Sequence, residues 1–457
     1  MVYWGGKLKY QVKPGKPYTI GGGENTFLSP FNIDQSESSY SRNMTSRQYP
    51  GASVRLGSQH AFLPITTPNA LGQRNNQYPH VQDGTTWKRW DGSEWQTVQG
   101  SLTSAAGKFI EFNTETARYT ALFNGTNKYA WDGSSVTTLT DAPATNLVAV
   151  DDYRVYALLG TNLKCSAAGS ITDWTTANDA DTIALTSAKG AGTALTSYND
   201  TIIAWTEQSM HVLFGNDPYD FYIPDPSDDG CISDRSVIEH NKVLYFLDYG
   251  MYKAYNGGKP KEISQKVKTY LDGINTTYKA KCAAGKHGKY IYLSIPYGAT
   301  ANNLTLEYDT ELNLWFPHSK GYVDFVNIGE SFYGVDSDGE LWEVNSGTDD
   351  EGTAISWEYI SGVKNQGAVS QKKVISDIWL VLDLPATSTM TISYSTTVDA
   401  SDFVVLYTFA GSATEQMTRV QVPTTALQNI DWYRLKYAGT GPCTIHFIEE
   451  NLRIKGR

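Results

Sequence analysis

Asp152-Tyr153-Arg154-Val155-Tyr156, Asp200-Thr201-Ile202-Ile203-Ala204, Asn241-Lys242-Val243-Leu244-Tyr245 and Gly288-Lys289-Tyr290-Ile291-Tyr292 are four copies of one pattern within residues 146 to 293. Each places a short apolar run before a turn residue, then one polar residue, then a strand-like run rich in apolar and aromatic side chains. The spacings are 48, 41 and 47 residues; a further copy, Glu330-Ser331-Phe332-Tyr333-Gly334, follows after 42, and a degenerate one at Thr116 precedes by 36. Strand signals that recur every 40–50 residues or so mark propeller blades. A unit this small cannot bury its own apolar face, so it must pack on its neighbours. The run after each turn residue is expected to be a blade's second strand, and residues 208–214, 250–255 and 304–308 its third. No fixed WD or kelch signature accompanies the repeat. The expectation is an irregular β-propeller of about six blades over residues 61–350.

Composition points the same way. Charged residues are 19% of the 457, aromatics 12%, and tyrosine alone counts 30. Tyrosine and β-branched residues suit a pleated, half-buried surface, and no segment sustains a 3.6-residue period over several turns. The fold class expected is all-β. The formal net charge is −11 with a sequence pI near 5.2, which argues against a broad nucleic-acid-binding surface and does not exclude a wall that DNA slides past. Cys165, Cys231, Cys282 and Cys443 have no short-spaced partner, so they read as buried free thiols rather than a zinc site or a disulfide framework. Met1-Val2-Tyr3-Trp4-Gly5 lacks the charged and apolar regions of a signal peptide. Nor is there an apolar run of about 18 residues to form a membrane segment. A soluble protein made in a cytoplasm is expected.

Residues 1–60 break the repeat. Gly5-Gly6, Gly21-Gly22-Gly23, Ser29-Pro30 and Pro50-Gly51 mark turns and extended loops, and an extended N-terminal arm laid along another surface is expected. Two dense hairpins follow, around Asp91-Gly92 and Asp132-Gly133, since Asp-Gly accepts the positive φ of a tight two-residue turn. Their tryptophans, Trp87, Trp90, Trp95 and Trp131, read as outer-blade packing; the alternative is a face that stacks sugars or bases. Residues 217–230 form an acidic, proline-rich excursion carrying Asp217, Asp220, Asp225, Asp228 and Asp229. A loop of that length in a compact domain is usually functional or mobile. Apolar residues at 263, 267, 270 and 271 suit one short amphipathic helix capped by Ser264. Beyond residue 350 the pattern becomes seven strand candidates, near 357–360, 375–384, 390–395, 403–409, 418–422, 432–437 and 444–452. They are separated by Gly, Pro, Ser and Asp, as in a sandwich. The domains expected are therefore 1–60 arm, 61–350 propeller and 351–457 β-sandwich, with Arg453, Lys455 and Arg457 as a short basic tail.

Catalytic signatures are absent: no His-Glu-x-x-His, Gly-x-Ser-x-Gly, phosphate-cradling loop or dinucleotide fingerprint. The seven histidines are scattered, and His211 within a strand reads as structural. Asp336-Ser337-Asp338-Gly339-Glu340 resembles the start of a calcium loop, with Asp336 and Asp338 as ligands, but position 347 is Gly347 where a bidentate Glu would stand. An ordinary hairpin is the preferred reading there. Ser337-Asp338-Gly339 is also similar to the Asp-box of sialidases, without the residue that motif places between Asp and Gly. With 48 acidic residues no pair is singled out for glycoside hydrolysis. No cofactor and no enzyme is expected.

Several segments carry a resemblance. They are Ser41-Arg42-Asn43-Met44 with Tyr49-Pro50-Gly51-Ala52-Ser53-Val54-Arg55, Cys231-Ile232-Ser233-Asp234-Arg235-Ser236-Val237 with Val243-Leu244-Tyr245-Phe246-Leu247, and Tyr433-Arg434-Leu435 with Gly439-Thr440-Gly441-Pro442-Cys443-Thr444-Ile445. Together, over roughly residues 40–457, the chain resembles the tail hub and nozzle proteins of short-tailed bacteriophages, some called packaged-DNA stabilisation proteins. The resemblance implies a propeller protomer in a virion ring, commonly of six copies, around the channel by which DNA leaves. It implies as partners further copies of the chain, portal, adaptor and other tail proteins, and passing double-stranded DNA bound without sequence preference. It carries over no catalytic residue, and it makes the arm and the acidic excursion contacts to neighbours. The excursion is also a candidate gate in the conduit. The alternatives are a carbohydrate-binding virion module built on the four tryptophans and, third, a propeller glycoside hydrolase.

Overall fold

The computed structural model describes residues 12–13, 15–151, 153–366, 371–397, 402–423 and 425–454, without the side chains of 12, 13, 413–417, 453 and 454. The turn residue Asp152 of the first repeat and the tail positions Lys455 and Arg457 lie outside them. Two compact units divide the chain: Met1–Gln59 with Glu307–Ser319 and Asn345–Arg457, and His60–Leu306 with Lys320–Val344. The divisions thus fall near 60 and 345, and the N-terminal residues join the C-terminal ones in one unit.

The second unit is a β-propeller. Its antiparallel sheets follow one another along the chain. Blade one comprises Pro68–Arg74, Tyr78–Asp83, Thr86–Trp90 and Trp95–Gln99; blade two Lys108–Asn113, Arg118–Phe123, Lys128–Trp131 and Val136–Thr138; blade three Val148–Asp151, Arg154–Leu159, Asn162–Cys165 and Asp181–Ala184. Blade four has three strands, Gly192–Ser197, Ile202–Thr206 and Met210–Leu213, and blade five is Ile238–His240, Val243–Asp248, Met251–Tyr255 and Lys261–Glu262. Blade six begins with Ala283–His287 and Tyr290–Ile295, and its later strands carry the chain into the other unit; blade seven has Asp324–Ile328, Ser331–Val335 and Leu341–Val344. The chain segments at the inner edge lie side by side in order, and Asp324–Ile328 adjoins Pro68–Arg74, so the sheets close on themselves. There are seven where about six were expected. The extra one is blade one, which the turn-plus-apolar-run repeat does not reach.

Turn chemistry sets the second strands. Asn199-Asp200 (φ 47° and 55°) and Asn241-Lys242 (φ 50° and 59°) have both central residues in the left-handed region, as a two-residue turn matched to strand twist requires. The apolar runs that follow are buried between blades. Ile203 and Trp205 of blade four pack with Leu244 and Phe246 of blade five. Leu71 and Val81 of blade one pack with Val335 and Leu341 of blade seven, which seals the ring. Fully burying one such side chain stabilises by about 1.5–3 kcal/mol. The Asp-Gly sites are not two-residue turns: Asp91 and Asp132 each open a four-residue loop, and each Oδ1 accepts two backbone N–H groups, from Ser93 and Glu94 and from Ser134 and Ser135. The expected helix is a 3-10 turn, Gln265–Val267, and one α turn, Lys268–Asp272, with Val267, Tyr270 and Leu271 buried. Ser264 does not cap it; its hydroxyl accepts the Tyr252 N–H at 2.8 Å. Among the described residues no helix is long and apolar enough to cross a membrane.

The first unit contains a two-sheet sandwich. One sheet runs Met44–Thr45, Ala52–Val54, Thr444–Ile454, Lys373–Leu384, Ala413–Gln421; the other Ser38–Arg42, Ser356–Ser361, Arg434–Thr440, Thr389–Ser395, Val404–Ala410. Lys373–Leu384 alternates almost strictly between buried and half-buried positions, and both sheets share one core that includes Trp357, Ile378, Leu382, Ile392, Tyr437 and Ile445. All seven strand candidates are strands here. The described part of the expected arm is instead woven into the sandwich: Ser38–Arg42 pairs with Ser356–Ser361, Ala52–Val54 with Thr444–Ile454, and Tyr18 bridges Ile448.

Candidate functional site

The propeller's axis is occupied by Cys231-Ile232-Ser233-Asp234-Arg235-Ser236. Backbone and side chain of Ser236 both donate to the Ser233 carbonyl, at 3.1 and 2.7 Å, closing a 3-10 turn ahead of blade five. Arg235 reaches from this turn across the middle of the ring. Its Nη2 donates to the carbonyls of Gly107, at 3.0 Å, and Asn69, its Nη1 to that of Val323 at 3.3 Å, and its Nε lies 3.7 Å from Asp324. One side chain of blade five thus engages blades one, two and seven, using the fixed fork of donors that a guanidinium supplies. Asp234 accepts the Leu195 N–H at 3.0 Å and pairs with Lys108 at 2.8 Å, while Ser233 Oγ donates to Cys282 O at 2.6 Å. Burial pushes the Asp324 carboxyl up against the opposing pull of Arg235.

A cavity of about 300 Å³ opens beside the turn, lined by Gly107, Lys108, Asn146, Thr193, Asp234 and Arg235 among others. Both its cations already face carboxylates, and its described lining holds no histidine or cysteine. It offers no nucleophile–base pair; what the arrangement does is lock the ring. Burial pushes the Cys231 thiol up to about 12, and all four cysteines are free and buried.

The acidic excursion leaves blade four after Leu213 and is a folded tongue. Phe214 bridges Tyr222, and Met210 bridges Ser227, so the returning chain lies where a fourth strand would. The tip is a turn: Asp220 N donates to Asp217 O, and Asp217 N to Asp220 Oδ1, each at 2.9 Å. Asp217 lies 3.8 Å from Arg154, and Asp228 pairs with Lys189 at 2.5 Å. Asp229 is buried and holds Lys253 at 2.8 Å beside Asp248 at 2.6 Å. Burial disfavours that ammonium, but the hydrogen bonds to Asp229 and Asp248 hold it above its ordinary value. Asp229 therefore serves the fold, while Asp220, Asp225 and Asp228 remain exposed. The tongue also presents Tyr219, 97% exposed, and Tyr222, 63%. Sequence reading registered the acids and prolines, not these exposed rings.

The other candidates separate. Trp87 is fully buried and donates to His80 Nδ1 at 2.9 Å; Trp131 is buried beneath Arg74 and Arg89, at 4.8 and 5.4 Å. Trp90 and Trp95 meet edge to face at 5.2 Å against Phe62. The four rings share no exposed face for a sugar, because two of them fill the space between blades one and two. Asp336 accepts the N–H of Asp338 and Glu340 on one oxygen and Trp342 Nε1 on the other, as a hairpin would arrange it. Among the described residues no group of three His, Cys, Asp or Glu side chains is placed to hold a metal.

No family model matches this chain, and no curated protein does. Solved β-propellers are similar at low identity. A computationally designed protein, Ika8, is 10% identical over 63% of this chain and 98% of its own, with a TM-score of 0.40. A streptogramin B lyase is 9% identical over 63% and 96%, TM-score 0.45, and the Pan2 WD40 domain of Neurospora crassa 8% over 64% and 94%, TM-score 0.42. The chain spans 39% of the extracellular domain of a B. thetaiotaomicron two-component system protein, at 8% identity and a TM-score of 0.44. The propeller assignment rests on the closed order of sheets.

Proposed function

We propose that this protein is a structural virion component, one copy in a ring of a phage tail hub or nozzle that retains the genome and guides its ejection. The observation that carries the reading is the strand Val404–Ala410. It is last in its sheet, has no charged residue, and leaves Val404, Val405 and Tyr407 55%, 59% and 48% exposed. A protein that stays alone blunts such an edge with charge, proline or a cover; strand addition between chains uses it. The resemblance supplies the ring, its six copies and the portal and adaptor partners. Arg235 fills the protomer's own middle, so in this reading the conduit is the hole the copies enclose. The −11 net charge suits a wall that does not hold passing DNA. The glycan-binding alternative has no supporting surface at the four tryptophans. Mass spectrometry and antibody labelling of purified particles test the proposal: the protein is expected at the tail, and its absence from particles whose genome encodes it would overturn the reading.

A further inference from the structure

Charge is distributed unevenly between two equal lengths of the propeller. Residues 207–229, ending in the tongue, hold six acids and no lysine or arginine; residues 259–281 hold six lysines and two acids. The net charges are −6, which includes the buried Asp229, and +4, on a chain of −11. Each stretch is set with exposed aromatics. The tongue carries Phe214, Tyr219 and Tyr222, while the lysine stretch lies beside Tyr249 and Tyr297, 46% and 42% exposed, with Lys279 Nζ 4.2 Å from the Tyr249 ring centre. Lys259, Lys261 and Lys281 are exposed. The tongue belongs to blade four, whereas the lysine stretch spans blade five's last strand and the connection to blade six.

Resting on the ring reading above, we propose that the tyrosine-tipped tongue of one copy docks on the lysine–tyrosine stretch of the next. The two patches are complementary and sit on different blades, so each copy offers one to either neighbour. Such head-to-tail contacts close into rings when the rotation permits. Opposite fields fix the register and reject a copy presented the wrong way round. Tyr219 would lie among the lysine ammoniums as a cation–π acceptor. A nucleic acid on the lysine stretch is the competing occupant, but it would leave the tongue unexplained.

Charge reversal tests this. One variant carries Asp225→Lys and Asp228→Lys, the other Lys259→Glu and Lys261→Glu; thermal melts check that both fold, and Tyr219→Ala gives a third arm without a charge change. By light scattering, each reversed variant alone is expected to lose at least about tenfold of its ring population, and an equimolar mixture to regain it, because each reversed patch then meets its complement. Tyr219→Ala is expected to weaken assembly at unchanged net charge. Rings formed equally by wild type and both unmixed variants would overturn the interface and leave the ring reading standing; a wild type that stays monomeric would overturn both. Rings unaffected by Lys259→Glu and Lys261→Glu while retention of double-stranded DNA falls would give the lysines to nucleic acid instead.

Discussion

Arg235 spends its donors on three carbonyls of other blades and faces the half-buried Asp324. Truncation would strand that carboxylate and those carbonyls together. Arg235→Ala is expected to destabilise the propeller by about 1–3 kcal/mol, the usual cost of leaving hydrogen-bonding partners in the interior unmet. Arg235→Lys should recover only part, since one ammonium cannot span the fork; urea midpoints of the three proteins measure it. Buried histidines set the acid limb. Burial, aided by Arg74 and Arg89, pushes His80 down to about 3; burial and nearby Arg55 do the same to His318. An unfolded histidine takes its proton near pH 6.5, so between about 6.5 and 3 the unfolded chain binds the extra proton. Each then removes roughly 1.4 kcal/mol of stability per pH unit as pH falls. Melts at pH 7 and pH 5 should differ accordingly, and His80→Asn should flatten the difference; an equal difference in that variant would contradict the assignment.

At the scale of elements, turns were the legible part. Asn241-Lys242 announced its hairpin because two consecutive positive φ values need residues that tolerate them. Lys242 does so at a cost (φ 59°). Lys242→Gly is expected to stabilise by about 0.5–1 kcal/mol, read as a rise in melting temperature, while Lys242→Val should lower it. The sandwich strands were legible for a different reason: runs rich in β-branched, aromatic and leucine residues are bounded by Gly, Pro, Ser and Asp. Blade one was not legible as a copy of the repeat: its first two strands turn at Asn75-Asn76 (φ 55° at both), but the run that follows, Tyr78–Asp83, is mostly polar. Gly21-Gly22-Gly23 lie in irregular chain, as expected, and packing adds a second demand for glycine. A Cβ on Gly15 would come within 2.1 Å of Glu450 O, and one on Gly21 within 2.4 Å of Gly51 O. They are glycine because backbone lies on backbone, and for Gly15 that backbone belongs to the distant strand Thr444–Ile454.

Across the whole molecule, the axial lock was hidden for the same reason. Cys231 to Val237 stood out as a familiar block, but its purpose depends on ring closure bringing Asn69, Gly107 and Val323 to Arg235. The tongue was visible as acid and proline; its exposed tyrosines and its buried Asp229 were not, since burial at that position follows from Lys253 standing opposite. What remains after fold and lock are accounted for is surface: an uncharged edge strand, an acidic tongue and a lysine stretch. Assembly of identical copies is the claim that joins them. Light scattering of the purified protein, alone and with its portal partner, paired with negative-stain images, measures it most directly. One species at several multiples of 50.5 kDa, imaged as a closed ring, is the expected result; a 50.5 kDa particle at every concentration, with and without the partner, would contradict it.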